Sequence, residues 1–354
     1  MISSKIVDIT TSNAHPNAAV LIIYTGGTFG MAYDESGSLA PFDFNHVIEK
    51  IPELKSLDVK FTVIAFTLPI DSSNVHTHHW RAIGHIIQEN YQNYDGFLVL
   101  HGTDTMAYTA SALSFMLQGL NKPVIFTGAQ IPIGSARSDA RDNFLTAAEI
   151  ASSKNDGKAI VPEVCIYFNH RLLRGNRSQK IRSSQFGAFE SENYPHLAIS
   201  GVSIEYNHSY IAPCCEGILE YRDQFNTNVI TLKLFPNIQQ NVLENILSTV
   251  GLKGVVMETY GSGNTPNYPW FLDCLAEASD RGIIIFNVSQ CNGGKVIQGR
   301  YETSQKLESL GVLSGADITT EAALTKLMFL LGSETDIDLV KNKLTSPLCG
   351  EMSP

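Results

Sequence analysis

Side chains that can pass a proton among themselves recur where the apolar runs of this sequence end. "HGTDTM" sets Thr103 beside Asp104, and "RGNRSQK" ends on Lys180. A threonine hydroxyl is a weak nucleophile until a base takes its proton. A lysine serves as that base when burial or a nearby cation weakens its hold on the proton; a carboxylate orients the lysine but keeps it charged. Thr103, Lys180 and Asp104 thus have the types for a threonine–lysine–aspartate arrangement. A second threonine, Thr28, follows Gly26 and Gly27 in "IIYTGGTFGM". A third cluster, "PIDSSN", supplies Asp71, Ser72, Ser73 and Asn74.

Each piece alone has a plainer explanation. "GGT" after a strand makes a tight turn with a capping threonine. "HGTDT" opens a helix with Thr103 or Asp104 as its N-cap. "DSSN" is a good turn sequence, and a lone lysine is usually solvated. The joint occurrence at strand ends is what argues for a site. In an open α/β sheet, ligands collect beyond the carboxyl ends of the strands.

The strands are read from near-continuous apolar runs at 19–25, 61–68, 96–101, 123–128 and 161–168, and later at 229–235, 254–260 and 282–288. Such runs suit strands buried on both faces. Trp80, Ile83 and Ile87 step at helical spacing between two of them. So do Met106, Ala110, Leu113 and Leu117, which predict one apolar helical face. Strand–helix alternation predicts a layered α/β protein of two domains with a parallel sheet. We place a first domain at 1–206, a linker at 207–228, where the pattern breaks, and a smaller α/β domain at 229–354.

Bulk composition excludes several classes. The chain has 354 residues, 44% hydrophobic and 17% charged, enough for a substantial core. Twenty-five basic residues against 35 acidic ones leave a net charge of −10, and nucleic-acid binding usually shows the opposite balance. The one dense basic patch, Arg171 to Arg182, reads best as bracing for a loop. No run approaches the ~18 apolar residues of a membrane span, and the N-terminus lacks a signal-peptide core. A cytoplasmic location with reduced cysteines is expected. His76, His78 and His79 in "VHTHHW" invite a metal, but their pattern predicts the opening of a helix with Thr77 as N-cap. No metal or cofactor is expected. A nucleotide-binding loop would want a lysine soon after the glycines, and the next one is Lys50.

"YTGGTFGM" and "LHGTDTMAYTASALSFML" resemble the two signature regions of the L-asparaginases. "NKPVIFTGAQIPIGSARSDARDN", "RLLRGNRSQK", "EASDRGIIIFNVSQCNGGKV" and "ADITTEAALTKL" are similar to the bacterial cytosolic type I branch. The resemblance runs from Val20 to the "LCGEMSP" tail. It implies a flavodoxin-like N-terminal domain carrying most of the site, and a homodimer or homotetramer. It implies hydrolysis of L-asparagine to L-aspartate and ammonia without metal or organic cofactor. Thr28 matches the favoured nucleophile, Thr103 and Asp104 the second-signature pair, and Lys180 the family lysine. Asp71, Ser72 and Ser73 match the substrate-holding loop.

Two departures stand out. Many members carry a tyrosine in the loop after the first signature, where this chain has Ser38 or Leu39. Tyr33, or Tyr301 from the second domain, is the candidate replacement, with Tyr301 preferred. Some type I relatives also bind asparagine as an effector; Cys291 matches that site, but Glu258 stands where an arginine is expected. A broader glutaminase-asparaginase, or an ammonia-releasing subunit of a tRNA-dependent amidotransferase, are the neighbouring alternatives.

Overall fold

The computed structural model describes residues 4–9, 16–33, 39–41, 51–299 and 302–354. They form two compact units, Met1–Tyr221 and Arg222–Pro354.

In the first unit, β1 (Ser4–Ile9), β2 (Ala18–Gly26), β3 (Val59–Ile70), β4 (Gly96–Leu100), β5 (Val124–Thr127) and β6 (Val164–Phe168) share one sheet. Five of them lie parallel in the order β3-β2-β4-β5-β6. β1 adds antiparallel outside β3. The other edge continues antiparallel through β7 (Arg171–Arg174), β8 (Ala198–Ser200) and β9 (Ile204–Tyr206).

Every residue of β4, β5 and β6 is buried, as strands covered on both faces must be. Three helices connect them: α1 (Thr77–Asn90), α2 (Met106–Met116) and α3 (Ala140–Ser152). α3 lays Phe144, Ala147, Ala148 and Ala151 against Val20, Ile22, Leu98, Leu100 and Ile125. Trp80, Ile83 and Ile87 are the buried stripe of α1.

α2 differs from its expected form. It is not a one-sided amphipathic helix: every residue from Met106 to Met116 except Tyr108 is buried. It packs against α1, β6 and the turn Gly175–Arg177, so no face is left for solvent. Leu117, expected on the helix, pairs instead with Tyr221 in a short strand.

Two helix starts also shift. The N-cap of α1 is His76 rather than Thr77, and His79 Nδ1 accepts the His76 N–H at 2.9 Å. The N-cap of α2 is Thr105 rather than Thr103 or Asp104, whose side chains engage a lysine instead.

The second unit repeats the logic with four parallel strands, β10 (Val229–Lys233), β11 (Gly254–Thr259), β12 (Ile284–Ser289) and β13 (Leu313–Ser314), in that order. Its helices are α4 (Gln240–Leu247), α5 (Pro269–Asp280), α6 (Glu302–Ser309), α7 (Thr320–Ser333) and α8 (Ile337–Leu344). The C-terminal tail is tied to α7 by a fully buried ion pair. Lys326 Nζ lies 2.6 Å from Glu351 Oε1 and donates to the carbonyls of Leu344 and Ser346 at 2.9 and 2.6 Å. Glu351 in turn accepts from the N–H groups of Leu348 and Cys349.

Removing one partner of a buried, hydrogen-bonded pair leaves the other charge uncompensated, at a cost of about 3–5 kcal/mol. Lys326→Met should therefore lower the urea midpoint of unfolding sharply. Adding Glu351→Gln should restore part of the loss, because the remaining group is then neutral.

Candidate active site

Chain order and sheet order part company at β2. β3 lies on one side of it, while β4, β5 and β6 continue on the other. At such a reversal of strand order, a sheet of this topology usually holds its ligand in a crevice beyond the carboxyl ends of the strands. Gly27 and Thr28 leave β2 at that point, and His101 to Asp104 leave β4.

The glycines let these loops meet. A Cβ on Gly26 would lie 2.3 Å from the Ile70 carbonyl oxygen, and one on Gly27 would lie 2.5 Å from Gly102 Cα. A Cβ on Gly102 would come within 2.6 Å of Ser72 Oγ. Gly26 and Gly27 also have φ of 135° and 86°, outside the ordinary range of L residues. The side on which a Cβ would project is thus filled by neighbouring backbone.

Thr103, Asp104 and Lys180 come together. Lys180 Nζ donates to Thr103 Oγ1 at 2.8 Å and to Asp104 Oδ1 at 2.6 Å. The lysine side chain is 16% exposed and the aspartate 62%, so the carboxylate stays open to a second cation while the lysine is covered.

Lys180 reaches this point from the two-residue strand Gln179–Lys180, paired with Phe189–Glu190 and preceded by the turn Gly175–Arg177. The arginines brace that segment. Arg174 Nε and Nη2 donate to the buried carboxylate of Glu163 at 2.5 and 3.1 Å, and the guanidinium stacks 4.3 Å over the Tyr194 ring. Arg171 pairs with Glu190.

Gln130 is a member that the sequence reading missed. Thr103 Oγ1 donates to its Oε1 at 3.3 Å. Its amide group donates to the carbonyls of Ser183 and Gln185 at 3.1 and 3.0 Å, which turns the oxygen toward Thr103. Gln130 stands three residues beyond the end of β5, where the strand-end rule that found the other clusters applies equally.

The "DSSN" segment forms a short turn, Ser72–Asn74, capped by Asp71, whose Oδ1 accepts the Ser73 N–H at 3.0 Å. Ser72 is buried; its hydroxyl accepts the Asp104 N–H at 3.3 Å, and its carbonyl accepts the Thr105 hydroxyl at 2.7 Å. Asp71 and Ser73 are exposed at the same loop. Thr28 opens the turn Thr28–Gly30 and is half-buried; it makes no hydrogen bond to Thr103, Asp104 or Lys180 among the described residues. Phe29 next to it is buried and stacks on Phe144 at 5.4 Å. The chain then forms a small hairpin, Met31–Tyr33 against Leu39–Pro41. Tyr33 is described in its backbone only, while Ser38 and Tyr301 lie outside the described residues.

His76, His78 and His79 cluster at the start of α1, with the rings of His78 and His79 3.8 Å apart. Burial, and behind it the charges of His78 and His76, pulls the His79 pKa down to about 4. Among the described residues no group of three or more His, Cys, Asp or Glu side chains is placed to hold a metal, and no helix is long and apolar enough to cross a membrane.

The steric account of the glycines is open to measurement. Forcing a methyl into a filled site costs about 1–3 kcal/mol. Gly102→Ala should lose about that much in thermal or urea unfolding. Gly134→Ala, with no atom within 4 Å of the added carbon, should stay within about 0.5 kcal/mol of the parent.

Comparison with known proteins agrees with this geometry. Residues 19–212 match the family model "Asparaginase, N-terminal", and residues 228–344 match "Glutaminase/Asparaginase C-terminal domain". The chain is 40% identical over 338 residues to L-asparaginase 1 of Escherichia coli (strain K12), covering 95% of this chain and 98% of that protein. The crystal structure of L-asparaginase I from Vibrio cholerae superposes with a TM-score of 0.86 at 38% identity, over 95% of this chain and 99% of that one. The thermostable L-asparaginase from Thermococcus kodakarensis gives 0.87 at 30% identity, again over 95% and 99%. With both domain models matched and near-complete coverage of these relatives, the chain belongs to the L-asparaginase family.

Proposed function

We propose that the protein hydrolyses the side-chain amide of L-asparagine to L-aspartate and ammonia through a threonine-linked acyl-enzyme. The observation that carries this reading is Lys180 Nζ held on both Thr103 Oγ1 and Asp104 Oδ1, at the strand ends beside Gly27 and Thr28.

Thr28 Oγ attacks the amide carbon and its proton passes to the leaving nitrogen, which departs as ammonia. Water then attacks the ester, the acyl group leaves as the carboxylic acid of L-aspartate, and Thr28 recovers its proton. Thr103, with Lys180 and Asp104, handles the protons of the water. The exposed Asp104 carboxylate suits the substrate's α-ammonium, while Lys180 stays on the Thr103 hydroxyl. Ser72 keeps its own hydroxyl proton for the α-carboxylate, with Asp71 and Ser73 at the same loop. Backbone N–H groups near Thr28 and Thr103 serve the oxyanion; one such donor is worth about 2.7–4 kcal/mol of barrier.

Tyr301 is proposed as the phenol that assists the nucleophile, ahead of Tyr33. The domain limits 1–206 and 229–354 rest on the break in pattern at 207–228 and a cytoplasmic location on the sequence reading, while action as a homodimer or homotetramer rests on the family resemblance.

Ammonia release from L-asparagine tests the assignment. Thr28→Ala, Thr103→Val and Lys180→Met should each lower kcat by about a hundredfold or more, with the fold intact by circular dichroism. Near-normal turnover by Thr28→Ala would remove it as nucleophile, and an acyl group trapped on Thr103 would reverse the two threonines' roles. Tyr301→Phe should cost more than Tyr33→Phe.

Regulation by the substrate is not expected. Glu258 is held by the Thr320 hydroxyl at 2.9 Å, with Lys233 at 3.5 Å, and a carboxylate there repels the carboxylate of an amino-acid effector. Initial rates should rise hyperbolically with asparagine; a clear sigmoid would show an effector site despite Glu258.

A further inference from the structure

The glycine that lets the two site loops approach creates a second problem. Gly102 cannot carry a side chain beside Ser72, so nothing of its own steadies its peptide group. Yet the next residue is Thr103, whose backbone N–H has no acceptor among the described residues. A trans peptide is planar, so the direction of the Gly102 carbonyl sets the opposite direction of the Thr103 N–H.

A buried chain of hydrogen bonds ends on that carbonyl. Trp80 Nε1 of α1 donates to Thr109 Oγ1 of α2 at 3.1 Å. Thr109 Oγ1 lies 3.0 Å from His101 Nε2, and His101 Nδ1 lies 2.7 Å from the Gly102 oxygen. Its polarity runs one way. An indole N–H only donates and a carbonyl only accepts. The imidazole therefore carries its proton on Nδ1, and the Thr109 hydroxyl donates to the bare Nε2. A neutral ring is required, and burial supplies it by pulling the His101 pKa down to about 4. His101, Thr109 and Trp80 are all buried.

We infer that His101 is a positioning residue: clamped by Thr109 and Trp80, it holds the Gly102 carbonyl toward the core and so aims the Thr103 N–H into the crevice as an oxyanion donor. The inference rests on the asparagine-hydrolysis reading above and adds to it a group that never touches substrate. An oxyanion donor acts on the transition state more than on the bound substrate. Its misalignment should therefore appear in kcat and leave KM nearly unchanged.

The test is steady-state ammonia release from L-asparagine by wild type, His101→Leu and His101→Asn, each checked for folding. His101→Leu should lower kcat about ten- to a hundredfold with KM within about threefold, since one oxyanion donor is lost or turned away. His101→Asn can place an amide N–H where Nδ1–H stood, so it should recover most of that loss. Full kcat in His101→Leu, or equal losses in the two variants, would overturn the positioning role while leaving the hydrolysis reading intact. No ammonia from wild type would overturn both. If His101→Leu fails to fold, long-range 15N–1H NMR of the wild-type imidazole decides: the Nδ1–H tautomer is expected, and Nε2–H would overturn the assignment.

Discussion

The site depends on how closely three stretches of backbone approach at the point where the parallel sheet reverses its strand order. Gly27 against Gly102, and Gly102 against Ser72, leave no room for a single methyl. That contact places the loop after β2, the loop after β4 and the turn after β3 within reach of one small ligand. Closeness of this kind needs residues without Cβ atoms, and such residues have loose backbones. The surrounding structure supplies the missing order. Gly27 leads straight into a turn anchored by buried Phe29 on Phe144. Gly102 is followed by Asp104 and Thr105, each hydrogen-bonded to Ser72.

Charge is organised around the same constraint. Lys180 is a covered cation with one carboxylate partner, brought in from a hairpin braced by the Arg174–Glu163 pair. Of the arginines that give this stretch its basic look, Arg174 and Arg177 are buried against Tyr194, Arg171 pairs with Glu190, and exposed Arg182 donates to the Gly187 carbonyl. The partial exposure of Asp104 then separates two roles. The lysine is held, and the carboxylate is shared with whatever cation enters. The buried Lys326–Glu351 pair of the second unit shows the contrasting use, where both charges are sealed and hold the tail in place.

Much of this was legible in residue order. Continuous apolar runs marked the parallel strands because a strand covered on both faces has no solvent side to alternate with. The polar clusters beyond them were findable because strand ends in such sheets open onto the ligand crevice. The same reasoning stopped short at Gln130, an isolated amide without a flanking cluster to draw notice. It also placed the cap of α1 at Thr77, one residue past His76. Side chains that look like caps are recruited elsewhere when a tertiary partner is stronger, as Lys180 is for Thr103 and Asp104. α2 was expected to be amphipathic, and period alone cannot tell a helix with one wall from a helix with walls all round.

From its sequence alone the chain could be assigned its fold class, its family and the residue types of its site, because these follow from local pattern and motif. Which atoms meet was decided by tertiary structure. Lys180 is 77 residues from Thr103, and nothing in either segment states the distance between them. The part played by the two glycines of "IIYTGGTFGM" also came from packing. Residue order offers them as a phosphate cradle or as room for a small amide, and only the neighbouring loops show that the side on which a Cβ would project is filled by backbone. Steric exclusion between segments far apart in the chain has no signature in either segment alone.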